Sequence, residues 1–114
     1  MRMPVSYSIS LPDPKLARGS APSVSFDAHG AQAFAEQLQA ALRDPAWFDR
    51  WRRLQADPDA VDPALGVTDP AASVTGEQRD LRIDLVATTS IPGDLFKLRM
   101  QALAGHHWEM RDVR

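Results

Sequence analysis

The chain has 114 residues, a formal net charge of -2 at pH 7 and no cysteine. This length suits one domain of ordinary size, which buries roughly two thirds of the surface that its unfolded chain would expose. The lack of cysteine excludes disulfides, thiolate chemistry and zinc sites that need sulfur ligands. Charged residues are spread along the chain, so the charge pattern favours neither nucleic acid nor an anionic membrane as the partner.

Neither a signal peptide nor a membrane span is visible in the sequence. The first ten residues lack the apolar run of a signal peptide, and no stretch approaches the roughly 20 apolar residues that cross a bilayer. We therefore expect a small, soluble, cytoplasmic protein that has no membrane partner.

Alternation of apolar and polar side chains predicts a strand at residues 5–11. Apolar residues occupy the odd positions from Val5 to Leu11, and serines occupy the even ones. Prolines and a glycine then interrupt regular structure, and residues 23–26 predict a short second strand. In this interpretation a hairpin with a long loop joins the two strands.

The next segment changes to helical spacing. Residues 28–43 place apolar side chains on one stripe, with Asp27 as the predicted N-cap. A second helix is predicted to begin at Pro45, because Asp44 suits the N-cap and proline suits the first helical position.

The second half of the chain begins with a predicted loop. Residues 57–79 are rich in Asp, Pro and Ala and contain three Asp-Pro pairs. Residues 81–89 alternate again and predict a strand with its odd residues buried. Residues 94–104 favour a helix because none is β-branched and Gly105 suits the C-cap, with a strand as the alternative. Residues 107–113 predict a closing strand.

This order of elements, β-β-α-α-β-α-β, indicates an α+β fold. We expect a single two-layer domain over residues 1–114, with about four strands in an at least partly antiparallel sheet and helices packed on one face. The other face, which carries serines together with Arg82 and Asp84, is polar. This face either stays solvated or meets a second copy, and a homodimer would form edge to edge or face to face, because small sheets leave edges to cover.

The pair His106 and His107 does not predict a chelate, because neighbouring side chains of a strand project to opposite faces. His106 aligns with Trp108 on the predicted core face, and His107 aligns with Glu109 towards solvent. A turn histidine and a surface histidine are the simpler interpretation.

A metal site would need ligands from both ends of the chain. Its candidate ligands are Asp27, His29, His107 and Glu109. Such a set of imidazole and carboxylate donors suits zinc or another divalent ion. A small metal-dependent enzyme is therefore an alternative function, on condition that the fold brings the two ends together.

The second helix combines aromatic and arginine side chains. Its candidate partner-binding residues are Trp47, Phe48, Arg50, Trp51 and Arg53. Exposed tryptophan and arginine are favoured at protein interfaces. The arginine and tryptophan face of residues 50–53 also suits single-stranded nucleic acid, an alternative that is disfavoured because the tryptophans lie on the face expected to pack inward.

No catalytic or cofactor motif is present: the sequence has no glycine-rich phosphate loop, no G-x-S-x-G elbow and no paired histidines on a helix. We therefore predict a non-catalytic protein-binding or regulatory module that has no cofactor. Its partner is an unknown protein, and a homodimer is a further expectation.

Overall fold

Residues 3–114 are the part of the chain that the computed structural model describes. They form four strands and three α-helices, in the order β1 (Val5–Leu11), α1 (Ala31–Arg43), α2 (Pro45–Arg53), β2 (Ser73–Arg79), β3 (Arg82–Thr89), α3 (Gly93–Ala104) and β4 (Glu109–Val113). Short 3-10 turns in the connections span Pro14–Leu16, Pro58–Ala60 and Pro63–Gly66. None of the helices in residues 3–114 is both long and apolar enough to cross a bilayer.

The four strands form one antiparallel sheet in the order β2-β3-β1-β4. The connection from β1 through α1 and α2 to β2 therefore skips over β3, and the connection from β3 through α3 to β4 skips over β1. Two such split β-α-β units make the ferredoxin-like topology. The predicted α+β class, with a four-stranded sheet and helices packed on it, is confirmed. This topology hosts many unrelated functions, so it identifies no activity.

Alternate residues of the two central strands form the buried face of the sheet. All of them are at most 4% exposed: Tyr7, Ile9, Leu11, Ile83, Leu85 and Ala87. Helix α3 contributes Phe96, whose ring stacks on Tyr7 with the centroids 4.3 Å apart. Helix α1 contributes Phe34, which meets Phe26 edge to face at 5.0 Å. The core thus lies between the sheet and the helices, where the alternation places it.

Residues 23–26 do not form the predicted strand. Val24 and Phe26 are buried, as alternation requires, but the segment is irregular. The backbone N–H of Phe26 donates to the Leu103 oxygen at the end of α3, at 2.9 Å, rather than to a strand. Alternating burial arises here because the chain runs across the end of a helix, so the hairpin prediction is wrong.

The second strand of the sheet lies instead inside the segment 57–79, for which the sequence predicts only a loop. Strand β2 begins at Ser73, so the loop ends at Ala72. β2 is an edge strand whose one apolar side chain, Val74, is half-buried. A strand of this kind needs no alternation, and the observed order is β-α-α-β-β-α-β.

The predicted helix caps have mixed outcomes. Helix α1 begins after Gly30 rather than after Asp27, whose carboxylate accepts a hydrogen bond from the side chain of Gln37. The prediction of Asp27 as the N-cap is therefore wrong. The cap of α2 is confirmed, because Asp44 Oδ1 accepts the Ala46 N–H at 2.9 Å.

The C-terminal segment contains the predicted helix and a shorter strand. Residues 94–104 are helical, so the strand alternative is wrong. Gly105 has a φ of 63°, a left-handed conformation that glycine adopts without strain, and it ends the helix as predicted. The strand begins only at Glu109, so His106 precedes it and is exposed instead of lying on the core face.

Candidate functional site

Trp47 anchors α2 in the core and is not available to a partner. Its side chain is 4% exposed, and its Nε1–H donates to the Val24 oxygen at 3.1 Å. The guanidinium carbon of Arg99 on α3 lies 5.9 Å from the centroid of the Trp47 ring, within cation-π range. Of the five predicted contact residues, Trp47 is therefore the one that is fully buried, while Phe48 and Trp51 pack against the core and are half-buried.

Phe48 and Trp51 form a half-buried aromatic pair on α2. Their rings stack with the centroids 5.7 Å apart and an interplanar angle of 25°. A Cβ at Gly66 would collide with the Phe48 ring, so the turn that contains Gly66 packs directly on this pair. The loop therefore covers part of the aromatic pair and leaves part of it accessible.

The arginines in the last turn of α2 have no acidic partner. None of the ion pairs within residues 3–114 involves Arg50, Arg52 or Arg53. Arg50 and Arg53 are exposed, and the Nε–H of Arg50 donates to the Ser23 oxygen at 2.9 Å. The helix dipole stabilises cations at this end of a helix, where Asp49 is one turn away but forms no ion pair with them.

An apolar side chain lies beside these arginines. Leu54, which follows α2, is 50% exposed. Residues three and four positions apart are neighbours on a helix, so Leu54 lies next to both Arg50 and Trp51. We call this patch, which consists of Arg50, Trp51, Arg53 and Leu54, the α2 surface. It combines unpaired positive charge with exposed apolar area.

A buried arginine holds the neighbouring loop against the helices. Arg99 on α3 is inaccessible to solvent, and burial lowers the pKa of its guanidinium. It donates to the Val67 oxygen of the loop at 2.5 Å and to the Ala41 oxygen of α1 at 3.2 Å. Helical spacing carries a signal of this burial, because Arg99 lies three residues after Phe96 and four before Leu103, on the buried stripe of α3. The carbonyl partners of Arg99 are long-range contacts that the sequence does not reveal.

Asp69 is a buried charge within this loop. Its Oδ2 accepts the Thr89 hydroxyl at 2.8 Å and the Ser90 N–H at 2.9 Å, and its Oδ1 accepts the Ala71 N–H at 3.0 Å. Burial raises the pKa of Asp69, but these hydrogen bonds together outweigh it and hold the pKa below its ordinary value. Asp69 therefore ties the loop to the end of β3.

The face of the sheet opposite the helices carries a shallow trough of about 410 Å³. Its lining includes Ser8, Thr75, Glu77, Arg79, Asp84, Val86 and Arg111. Arg79 pairs with Glu77 at 2.9 Å and with Asp84 at 3.5 Å, and Arg111 pairs with Glu109 at 3.5 Å. The charges on this face therefore satisfy one another within the chain, unlike the arginines of the α2 surface.

The four candidate metal ligands do not come together. His29 lines a cleft beside Asp13, whereas His107 lines a different cleft beside Arg18. Within residues 3–114, no group of three His, Asp or Glu side chains is close enough to hold a metal ion. The alternative of a metal-dependent enzyme therefore has no assembled site in this part of the chain.

Comparison of the chain with protein-family models, with curated proteins and with solved structures finds no match in any of the three. A functional assignment therefore depends on the surfaces described above. Among them, the α2 surface carries arginines that form no ion pair within residues 3–114.

Proposed function

We propose that the protein is a non-catalytic binding module that docks an acidic segment of a partner protein on the α2 surface. One observation carries the proposal: Arg50 and Arg53 are exposed without a carboxylate partner beside the half-exposed Leu54. Arginine and tryptophan are enriched among the residues that dominate binding energy at interfaces. Trp51, half-buried in the centre of this patch, supplies the aromatic component.

The chemistry of the α2 surface favours a short acidic segment with an aliphatic anchor. A guanidinium presents a planar fork of donors that matches a carboxylate, so each exposed arginine suits one Asp or Glu of the partner. The apolar area of Leu54 and Trp51 is small, which suits a single leucine-sized side chain. We therefore expect a partner with acidic residues on both sides of one aliphatic residue.

Single-stranded nucleic acid is the second candidate, and the same arginines favour it. It is weaker because the Phe48 and Trp51 pair is partly covered, which leaves little aromatic surface for bases to stack on. The next segment, residues 57–62, also carries three exposed aspartates. A protein can place acidic groups opposite α2 and basic groups opposite this segment, whereas a polyanion cannot.

The test uses two fluorescent probes at low salt: a peptide of alternating glutamate and leucine, and an oligouridine. We expect saturable anisotropy with the peptide, weakened by added salt, because exposed charges are screened. Arg53→Glu and Leu54→Ala should each weaken binding at least about tenfold, since both remove groups at the centre of the contact.

Lys97→Glu is the matched control, because Lys97 is also exposed and forms none of the ion pairs within residues 3–114. Binding of oligouridine but not of the peptide would indicate that the α2 surface binds nucleic acid. Binding of neither probe, or an equal loss with Lys97→Glu, would contradict the proposal. Affinity capture from native lysate, repeated with nuclease and with Arg53→Glu, would then identify the natural partner.

A homodimer through the uncovered face of the sheet is a separate proposal. Homodimer interfaces are more apolar than ordinary protein surface, whereas this face carries ion pairs such as Arg79 with Glu77. We therefore expect self-association through it to be weak and dependent on concentration. Sedimentation velocity over a range of concentrations measures it, and Val86→Asp in the trough should abolish it.

A further inference from the structure

The cleft that His107 lines lies at the C-terminal end of α3. Residues from two distant segments of the chain form it. Its volume is about 400 Å³, which is within the range of small-molecule sites. Its lining residues are Arg18, Gly19, Ser20, Gln101, Gly105, His106 and His107. This lining contains one arginine and two histidines and no acidic side chain, so it is predominantly basic.

Two glycines allow the segments to approach each other. A Cβ at Gly19 would collide with the Ala102 oxygen, and a Cβ at Gly105 would lie 2.8 Å from the Arg18 oxygen. Larger side chains at either position would push the segments apart. Close backbone packing therefore holds the two segments of the cleft together.

Arg18 lines this cleft, and two backbone carbonyls and an aromatic ring hold its guanidinium. It donates to the Ala17 oxygen at 3.1 Å and to the Ala28 oxygen at 2.6 Å. Its guanidinium carbon lies 5.4 Å from the centroid of the Phe34 ring. A guanidinium has about five N–H donors, so these two bonds leave others for a ligand. A preorganised guanidinium of this kind suits the two oxygens of an oxyanion.

The partial negative charge at the C-terminal end of α3 opposes anion binding only weakly. The carbonyl oxygens of Gln101, Leu103 and Ala104 each accept a backbone N–H from the chain, at 2.9, 2.9 and 3.2 Å. Most of the partial negative charge at a helix C-terminus resides on carbonyls that lack such partners. None of the ion pairs within residues 3–114 involves Arg18 or either cleft histidine.

We propose that this cleft binds the oxyanion group, phosphate or carboxylate, of a small metabolite. Arg18 supplies the permanent charge, and His106 and His107 add charge when protonated. An imidazole that takes up a proton gains a positive charge, so binding should strengthen at lower pH. Glu109, the next acidic residue along the chain, is paired with Arg111 at 3.5 Å rather than placed in the cleft.

The test follows backbone amide chemical shifts by NMR during titration with sulfate at constant ionic strength. Sulfate is a phosphate analogue that keeps its charge across this range, so a change with pH reports on the protein. We expect saturable shifts at Ser20, Gly105 and His107 at about pH 6, with affinity at least about tenfold lower at about pH 8. A parallel titration with acetate distinguishes a carboxylate ligand from a phosphate-like one.

His106→Gln with His107→Gln should abolish the pH dependence and leave the fold intact, because both side chains are exposed. His29→Gln is the matched control, since His29 is an exposed histidine in a different cleft. Arg18→Gln should abolish binding, with the amide spectrum checking that the domain remains folded. Unsaturable shifts with both anions, or equal binding by the double histidine variant at about pH 6, would overturn the proposal.

Discussion

The guanidinium of Arg99 lies 5.9 Å from the ring of Trp47, and both side chains are shielded from solvent. This contact joins α3 to α2, and Arg99 extends it to the loop through the Val67 oxygen at 2.5 Å. Carbonyl oxygens and an aromatic face, rather than a carboxylate, surround the buried charge. The position of α2, and with it the α2 surface, therefore depends on the buried guanidinium of Arg99.

Replacing Arg99 by alanine should destabilise the domain by about 3–5 kcal/mol, because it leaves a cavity and carbonyl groups without donors. Urea unfolding followed by tryptophan fluorescence measures the change. Lys97→Ala is the matched control on the exposed side of α3, and it should stay within about 0.5 kcal/mol of the wild type. Equal stability of the two variants would exclude the structural role of Arg99.

Asp69→Asn should destabilise the protein by about 1–3 kcal/mol at neutral pH, because the carboxylate accepts three hydrogen bonds. The pKa of Asp69 is held below 3.8, its ordinary value, so the unfolded chain takes up the proton first as the pH falls. The contribution is complete only well above pH 3.8 and is lost progressively as the pH falls through the lowered pKa of the folded state.

Urea unfolding at neutral pH and at about pH 3 measures this difference. The gap between wild type and Asp69→Asn should narrow at the lower pH. The same change at the exposed Asp59 should cost less than about 0.5 kcal/mol at neutral pH. If the difference in unfolding free energy between wild type and Asp69→Asn were the same at both pH values, folding would not lower the pKa of Asp69.

The elements that sequence analysis predicted correctly are those whose burial follows a simple period. Strands β1 and β3 alternate, and the composition of α3 distinguishes a helix from a strand even though its apolar residues fit both patterns. By contrast, residues 23–26 alternate without forming a strand, because Phe26 pairs with the end of α3. Alternation reports which side chains are buried and does not report which backbone supplies the hydrogen bonds.

Strand β2 was not predictable from periodicity, since an edge strand with one half-buried apolar residue carries almost no pattern. For the α2 surface, residue types alone raised arginine and tryptophan as candidate contact residues, and that role stays a prediction. Helical spacing placed both tryptophans on the face expected to pack inward. It could not show that Trp47 is buried while Trp51 is only half-buried, because that depends on how α2 crosses Val24 and Arg99. Likewise, the approach of Arg18 to the histidine pair is a long-range contact that one sequence does not encode locally.

Gly76→Ala should destabilise the protein by about 1–3 kcal/mol, because its Cβ would collide with the Ala31 oxygen where α1 begins. This close approach is how α1 packs on the edge strand β2. Gly30→Ala is the control, since a Cβ at Gly30 meets no atom within 4 Å, and its cost should stay below about 1 kcal/mol. Thermal unfolding of both variants tests this contact. Equal midpoint temperatures for the two variants would contradict it.

Asp80→Gly should stabilise the domain by about 0.5–1 kcal/mol. Asp80 and Leu81 form the two-residue turn between β2 and β3, and Asp80 has a φ of 56°. A hairpin turn with a positive φ at its first central position favours glycine, because a Cβ is strained in that conformation. Asp80→Ala keeps the strain without the polar side chain and should be less stable than the wild type. Urea unfolding measures the order glycine, aspartate, alanine, and a reversed order would exclude backbone strain at this turn.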